Sequence, residues 1–154
     1  MRVGILGDGQ LAMMLAQASK HINVETLCFS SQQNSPASHE SEIFTGDINS
    51  QDDLKRFAQS VDVITFENEF IDAATIAFLK QYTAVYPDAN ALAITQDRIA
   101  EKKLFNALDI PCADFFEIDN VRQLENAIEK FKYSAILKTR RLGYDGKGQC
   151  NIKD

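Results

Sequence analysis

Ile136-Leu137-Lys138-Thr139-Arg140-Arg141-Leu142-Gly143-Tyr144-Asp145-Gly146-Lys147-Gly148-Gln149 joins an apolar run ending in lysine to a glycine-rich turn. Three of the chain's seven glycines lie between positions 143 and 148, and that density sets the stretch apart. A backbone freed of Cβ atoms approaches an anion closely and aims several N–H groups at it, while Lys138 and Lys147 add positive charge nearby. A hairpin turn with surface lysines would use the same glycines without any ligand. Glycine spacing alone does not separate the two.

Lys138 helps to separate them. The apolar run before it reads as a buried strand, and a buried ammonium without an anion is costly. Tyr144, Asp145 and Lys147 are more specific than phosphate covering requires, since a simple anion cradle gains nothing from a carboxylate. An aspartate there can orient or deprotonate an attacking amine, while lysine contacts phosphate as a point charge. The plainer reading of Asp145 is a turn aspartate bonding its own backbone.

Upstream, apolar runs at residues 2–6, 24–29, 43–45, 61–66 and 84–86 alternate with segments of helical periodicity, which predicts a parallel sheet with helices on its faces. Ser50-x-x-Asp53 opens a helix, and Leu54, Phe57, Ala58 and Val61 follow on one stripe. Leu11, Met14, Leu15 and Ala18 repeat that spacing, so they are expected to face the core. Polar residues 31–42 mark an exposed loop. A second unit is expected to start at Gln96. It opens with a helix carrying Ala100, Leu104 and Leu108, breaks at Pro111 and continues in a strand near residues 114–118. A helix with Val121, Leu124, Ile128 and Phe131 on one stripe follows, then strands flanking the glycine turn.

Gly7-Asp8-Gly9-Gln10-Leu11-Ala12 fits G-x-G-x-x-G/A between a strand and a helix. A nicotinamide dinucleotide site also wants an acidic residue at the end of the second strand, and here that position reads Phe29-Ser30-Ser31-Gln32. The missing carboxylate weighs against NAD. Free N–H groups at the helix start suit a phosphate or a polar edge, although Gly7 and Gly9 also serve if they only permit tight strand-to-helix packing. Glu67 and Glu69 fall at the end of the fourth strand, where open α/β sheets place ligands. An exposed acidic pair is more often solvated surface.

Sixteen basic against twenty-two acidic side chains leave a net charge of −6 with no basic block, so the surface repels phosphodiester backbones and nucleic acid is not an expected partner. The apolar start is interrupted at Gly7 before a signal sequence forms, and no run is long enough to cross a bilayer, so a membrane is not expected either. Cys28, Cys112 and Cys150, odd in number and far apart, read as reduced thiols of a cytoplasmic protein. His21 and His39 are isolated, and without Cys or His at ligand spacing no protein-built zinc site is expected.

The segment Gly143–Gln149 after Ile136-Leu137-Lys138 resembles the phosphate-covering loop and ATP lysine of the ATP-grasp superfamily, and within it the N5-carboxyaminoimidazole ribonucleotide synthetases of purine biosynthesis. Residues 96–105 are similar to that domain's opening helix, and Gly7-Asp8-Gly9-Gln10-Leu11 to the family's Gly-x-Gly-Gln-Leu, so the resemblance spans essentially the whole chain. It implies an α/β fold: a pre-ATP-grasp, Rossmann-like parallel-sheet domain over residues 1–95, then the first subdomain of an ATP-grasp fold over residues 96–154, stopping short of the full domain.

The activity implied is a carbon–nitrogen ligase that uses Mg-ATP and bicarbonate to carboxylate 5-aminoimidazole ribonucleotide through carboxyphosphate. ATP contacts are implied at Arg98, Lys138, Gly143, Tyr144, Asp145, Gly146, Lys147, Gly148 and Gln149. Acceptor contacts are implied at Gln10, Leu11, Glu67, Tyr144, Asp145 and Lys147, with Asp145 as the catalytic residue. The family's Glu-Phe-Glu-Asn reads Glu67-Asn68-Glu69-Phe70 here, an exchange that keeps Glu67 and not Glu69 among the contacts. Magnesium ligands are expected beyond Asp154, so no metal ligand is assigned within the chain; the full-length enzyme is expected to be a homodimer, and this portion alone inactive. Two alternatives stand beside this reading. Another ATP-grasp ligase, of the formate-dependent glycinamide ribonucleotide transformylase or biotin carboxylase type, would share the lysine and loop. A NAD-binding Rossmann oxidoreductase would instead use the Gly7 turn.

Overall fold

The computed structural model describes residues 1–132 and 134–152. The chain forms two compact units, Met1–Leu92 and Ala93–Asp154. In the first, strands β1 (Arg2–Leu6), β2 (Glu25–Ser30), β3 (Glu42–Thr45), β4 (Val63–Phe66) and β5 (Ala84–Val85) make one parallel sheet in the order β3-β2-β1-β4-β5. Helices α1 (Gln10–Lys20), α2 (Gln51–Gln59), α3 (Ala73–Leu79) and α4 (Ala89–Thr95) accompany it. This is the expected alternation. Strand order reverses between β1 and β4, and open parallel sheets bind ligands outside the strand ends at such a switch point.

Local sequence explains where the helices begin. Ser50 Oγ accepts from Asp53 N–H at 3.3 Å, and Asp72 Oδ1 accepts from Ala74 N–H at 2.9 Å, satisfying donors that the first helical turn leaves free. Leu54, Phe57 and Ala58 of α2 are buried, as their spacing predicts. Phe57 is fully buried and meets Phe29 and Phe44 edge-on, at centroid distances of 5.2 and 5.6 Å. A Cβ on Gly4 would stand 2.8 Å from the Phe57 ring, so a glycine in the middle of β1 makes room for the largest core side chain. The capped helix α4, with Asp88 Oδ1 accepting from Asn90 and Ala91 N–H, falls where the sequence predicts only a boundary.

In α1 the expected core face is wrong. Leu11, Met14 and Leu15 are exposed, and Ala12, Ala16 and Ser19 are the buried residues. Small side chains at i, i+4 and i+7 let the helix backbone lie close to the sheet, where Ala12 packs with Ile5 and Cys28. The larger residues are carried outward. Burial of Cys28 pushes its thiol pKa up, so it behaves as a packed apolar side chain.

The second unit contains α5 (Arg98–Ala107), α6 (Val121–Lys130) and an antiparallel hairpin of β6 (Ala135–Lys138) and β7 (Gln149–Ile152). The strand expected near residues 114–118 does not form. Among the described residues the hairpin has two strands and neither pairs with that segment, and without a ladder an extended stretch is not a strand. Side chains tether it instead: Lys103 reaches Glu117 at 2.7 Å, and Lys102 Nζ donates to Ala113 O at 3.3 Å. The apolar run of β6 is likewise exposed rather than buried, Ile136 and Leu137 included. Among the described residues no helix is long and apolar enough to cross a membrane.

Phe57→Ala should destabilise the first unit by about 3–5 kcal/mol, because the ring leaves a cavity walled by backbone and two other rings. Leu15→Ala, on the outward face of α1, should change it by less than about 0.5 kcal/mol. Urea unfolding of both variants checks the pair, and a large loss at Leu15 would contradict the burial described for α1.

Candidate functional site

The parallel register pairs Leu6 of β1 with both Phe29 of β2 and Phe66 of β4, so the next residues, Gly7 and Glu67, emerge side by side at the sheet's carboxyl edge. Glu67 N–H donates to Leu6 O at 3.2 Å, and its carboxylate turns into the first turn of α1. There it accepts from Gly9 N–H at 3.2 Å and Ala12 N–H at 2.7 Å. Gln10 and Leu11, between those donors, are exposed. Asn68 Oδ1 accepts from Phe70 N–H at 2.9 Å, closing a local turn that leaves Glu69 exposed. At the end of β2, Ser30 Oγ donates to Asp8. A serine bonded to the turn's own aspartate thus stands where a dinucleotide fold keeps a ribose-binding acid.

In the second unit a cleft of about 850 Å³ runs between α5, α6 and the hairpin; Arg98, Lys138 and Gln149 line it beside Leu124, Ile128 and Phe131. Lys138 is exposed here. The expectation of a buried lysine does not hold among the described residues, where Ile136, Leu137 and Lys138 of β6 are all exposed, so a missing counter-anion carries no burial cost here. Its placement on the cleft wall is what makes it a candidate. Thr139 N–H donates to Gly148 O at 2.7 Å and Lys147 N–H to Tyr144 O at 2.7 Å, which folds residues 139–148 into a closed turn. Gly148 has φ +68°, and a Cβ there would stand 2.4 Å from Thr139 Oγ1, so no other residue fits. Lys147 Nζ lies 4.5 Å from the Tyr144 ring centroid and donates to its hydroxyl at 2.9 Å. Asp145 is exposed and has φ +45°, a conformation that aspartate tolerates better than most residues.

The turn is fastened to α5 by bonds that sequence reading missed, through Arg98, which it named only as an ATP contact, and through Asp97, Arg140 and Glu117, to which it gave no role. Arg98 N–H donates to Arg140 O at 3.0 Å, and the Arg98 guanidinium donates to Gly143 O at 2.9 Å. In the other direction, Arg140 Nε donates to both oxygens of Asp97, at 2.9 and 2.7 Å, and Nη1 donates to Glu117 at 2.8 Å. Asp97 meanwhile caps α5 by accepting from Ile99 and Ala100 N–H. The Arg140 guanidinium holds the Asp97 carboxyl below the usual carboxylate range, and the Lys103 ammonium does the same for Glu117. Aspartate before a helix is a legible cap signal. Its pairing with an arginine 43 positions away leaves no trace in local sequence.

Among the described residues no group of three or more His, Cys, Asp or Glu side chains could hold a metal. Asp154, beyond which magnesium ligands are expected, lies outside the described residues.

The sequence matches the ribonucleotide synthetase preATP-grasp domain over residues 1–96 and the ATP-grasp domain over residues 103–154. It is 40% identical, over 149 residues, to the N5-carboxyaminoimidazole ribonucleotide synthase of Pseudomonas aeruginosa; the alignment covers 97% of this chain and 41% of that one. Among solved structures, N5-carboxyaminoimidazole synthetase from Staphylococcus aureus complexed with ADP is similar with a TM-score of 0.92 at 29% identity, covering 99% of this chain and 41% of that one. The Aspergillus clavatus N5-carboxyaminoimidazole synthase in complex with ADP and 5-aminoimidazole ribonucleotide is similar with a TM-score of 0.83 at 25% identity, covering 99% and 40%. The chain therefore spans less than half the length of these relatives.

Because Asp97 and Glu117 have depressed folded-state pKa values, the stability they contribute is present above the ordinary carboxylate pKa, roughly 4, and is lost as pH falls through the lower folded values. Arg140→Gln should raise the Asp97 pKa towards its ordinary value and speed amide exchange across residues 140–148. Carboxyl NMR titration and hydrogen exchange read both effects; an unmoved Asp97 would dismiss the pairing.

Proposed function

Since the chain belongs to the ribonucleotide synthetase preATP-grasp domain family, we propose that it is the amino-terminal part of an N5-carboxyaminoimidazole ribonucleotide synthetase. Residues 1–95 supply the pre-ATP-grasp domain, and residues 96–154 the opening of the ATP-grasp domain. The whole enzyme phosphorylates bicarbonate with ATP, which turns an inert oxygen into a leaving group, and passes the carboxyl carbon to the amine of 5-aminoimidazole ribonucleotide. ADP and phosphate leave. The observation that carries this reading is the gathering of Arg98, Lys138, Gly148 and Gln149 at one cleft, whose hairpin lies in the segment that matches an ATP-grasp domain, with Arg98 also bonded to the Gly143 carbonyl.

Lys138 contacts the nucleotide phosphates as a point charge. Gly143, Gly146, Gly148 and Gln149 form the covering turn, which Arg98 holds through the Gly143 carbonyl. Tyr144, Asp145 and Lys147 face the acceptor, with Asp145 orienting or deprotonating its amine. In the first unit, Gln10, Leu11 and Glu67 provide the remaining acceptor contacts at the switch point between β1 and β4. Magnesium would serve ATP by neutralising phosphate charge, and none of the described residues is assigned as its ligand. The full-length enzyme is a cytoplasmic homodimer that takes small-molecule substrates, without nucleic acid or membrane. Glu67 seated in the Gly7 turn and Ser30 at the end of β2 favour this reading over a NAD oxidoreductase.

In a full-length version, Lys138→Ala should weaken ATP binding at least about tenfold, the scale of one charge-assisted hydrogen bond. Titration calorimetry measures it, and unchanged affinity would remove Lys138 from the site.

Asp145→Asn should separate the two functions of the turn. Turnover with 5-aminoimidazole ribonucleotide is expected to fall about 100-fold or more, while ATP affinity stays within about twofold. Equal losses in steady-state kinetics and binding would assign Asp145 a structural role.

A further inference from the structure

The Gly7–Gly9 turn has the outline of a phosphate site and already contains an anion. Glu67 Oε2 accepts from Ala12 N–H at 2.7 Å and Oε1 from Gly9 N–H at 3.2 Å. Those are the donors that a strand–turn–helix junction of this kind offers to a ligand phosphate. The glycines fit the same occupant. Gly7 has φ +122°, and a Cβ there would stand 2.5 Å from Glu67 Cγ; a Cβ on Gly9 would stand 3.1 Å from Oε1. Both positions make room for a side chain of this protein rather than for a ligand. Pairing of β1 with β4 brings that side chain alongside, and Asn68 Nδ2 adds a longer contact to Oε1 at 3.4 Å.

We propose that Glu67 is a specificity-determining residue, a built-in carboxylate that occupies the anion position of the Gly7–Gly9 turn and excludes phosphate from it. Two effects act together. The two best-placed amides are taken, and a second anion at contact distance would be repelled by Glu67 and by the nearby Asp8, whose carboxylate is held by Ser30. A ligand meeting this turn does so with an uncharged face, against the N–H groups of Gln10 and Leu11 and the lone pairs that Glu67 keeps unused. The inference concerns which charge the turn accepts and does not rest on the ligase reading, so its failure and that of the Lys138 test are separate.

Inorganic pyrophosphate is the probe, titrated into the isotope-labelled chain while the amides of Gly9, Gln10, Leu11 and Ala12 are followed by NMR. The wild type should show no saturable shift at these four. Glu67→Ala and Glu67→Gln should bind pyrophosphate at least about tenfold more tightly, with shifts centred on Gly9 and Ala12. Glu67→Gln keeps the side-chain volume and one acceptor oxygen, so it decides the matter if the alanine variant fails to give a dispersed spectrum. Saturable binding of pyrophosphate at these amides in the wild type as tight as in the variants would overturn the proposal. So would a folded variant that gains no affinity.

Discussion

The parallel pairing of β1 with both β2 and β4 is the constraint on which the first unit depends. Leu6 faces Phe29 on one side and Phe66 on the other, and that register decides which residues leave the sheet together. Because side chains alternate along a strand, a slip of one residue would turn Ile5 and Leu6 to the wrong faces and carry Glu67 away from the α1 turn. Core packing therefore sets the geometry of the site edge. Gly4 makes the same link from below, since the space it leaves for Phe57 lets α2 press against the sheet's middle strand.

In the second unit the organising contacts are polar. None of the residues of α5 is buried, and only Ala127 of α6 is. The glycine turn is positioned by Arg98 and by the Arg140 bond to Asp97, which serves as helix cap and ion-pair partner at once. Exposed ion pairs contribute little to stability singly, but a guanidinium shared between two carboxylates restricts orientation well. The turn thus has a defined approach to α5 despite the thin apolar support around it.

Charge is distributed differently in the two places. At the Gly7 turn the positive end of α1 is met by an internal carboxylate, whereas at the glycine turn Lys138 and Arg98 line an open cleft. At the first turn the amides of Gly9 and Ala12 are held by Glu67, whereas the second presents its cations to the cleft. That division follows from backbone geometry as much as from side-chain identity, because both turns carry glycines and only one of them has a glutamate on the neighbouring strand.

By itself the sequence determined the alternation of strands and helices in the first unit, the α2 stripe of Leu54, Phe57 and Ala58, and the glycine turn after Lys138. Each of these is written in local spacing, composition or capping chemistry, which act over a few residues. Tertiary structure alone decided what depends on how closely two elements approach. The apolar stripe of α1 faces outward because the opposite face, with small Ala12, Ala16 and Ser19 at i, i+4 and i+7, is the one that lies close against the sheet. Residues 114–118 form no strand because no described strand lies alongside to complete a ladder, and Lys138 is exposed because none of the described residues buries the β6 face that carries it. The seating of Glu67 in the Gly7 turn and the bond between Asp97 and Arg140 join residues 58 and 43 positions apart, measured from Gly9 and Asp97. Separations of that size are closed by the sheet register and by chain packing, for which no local pattern exists.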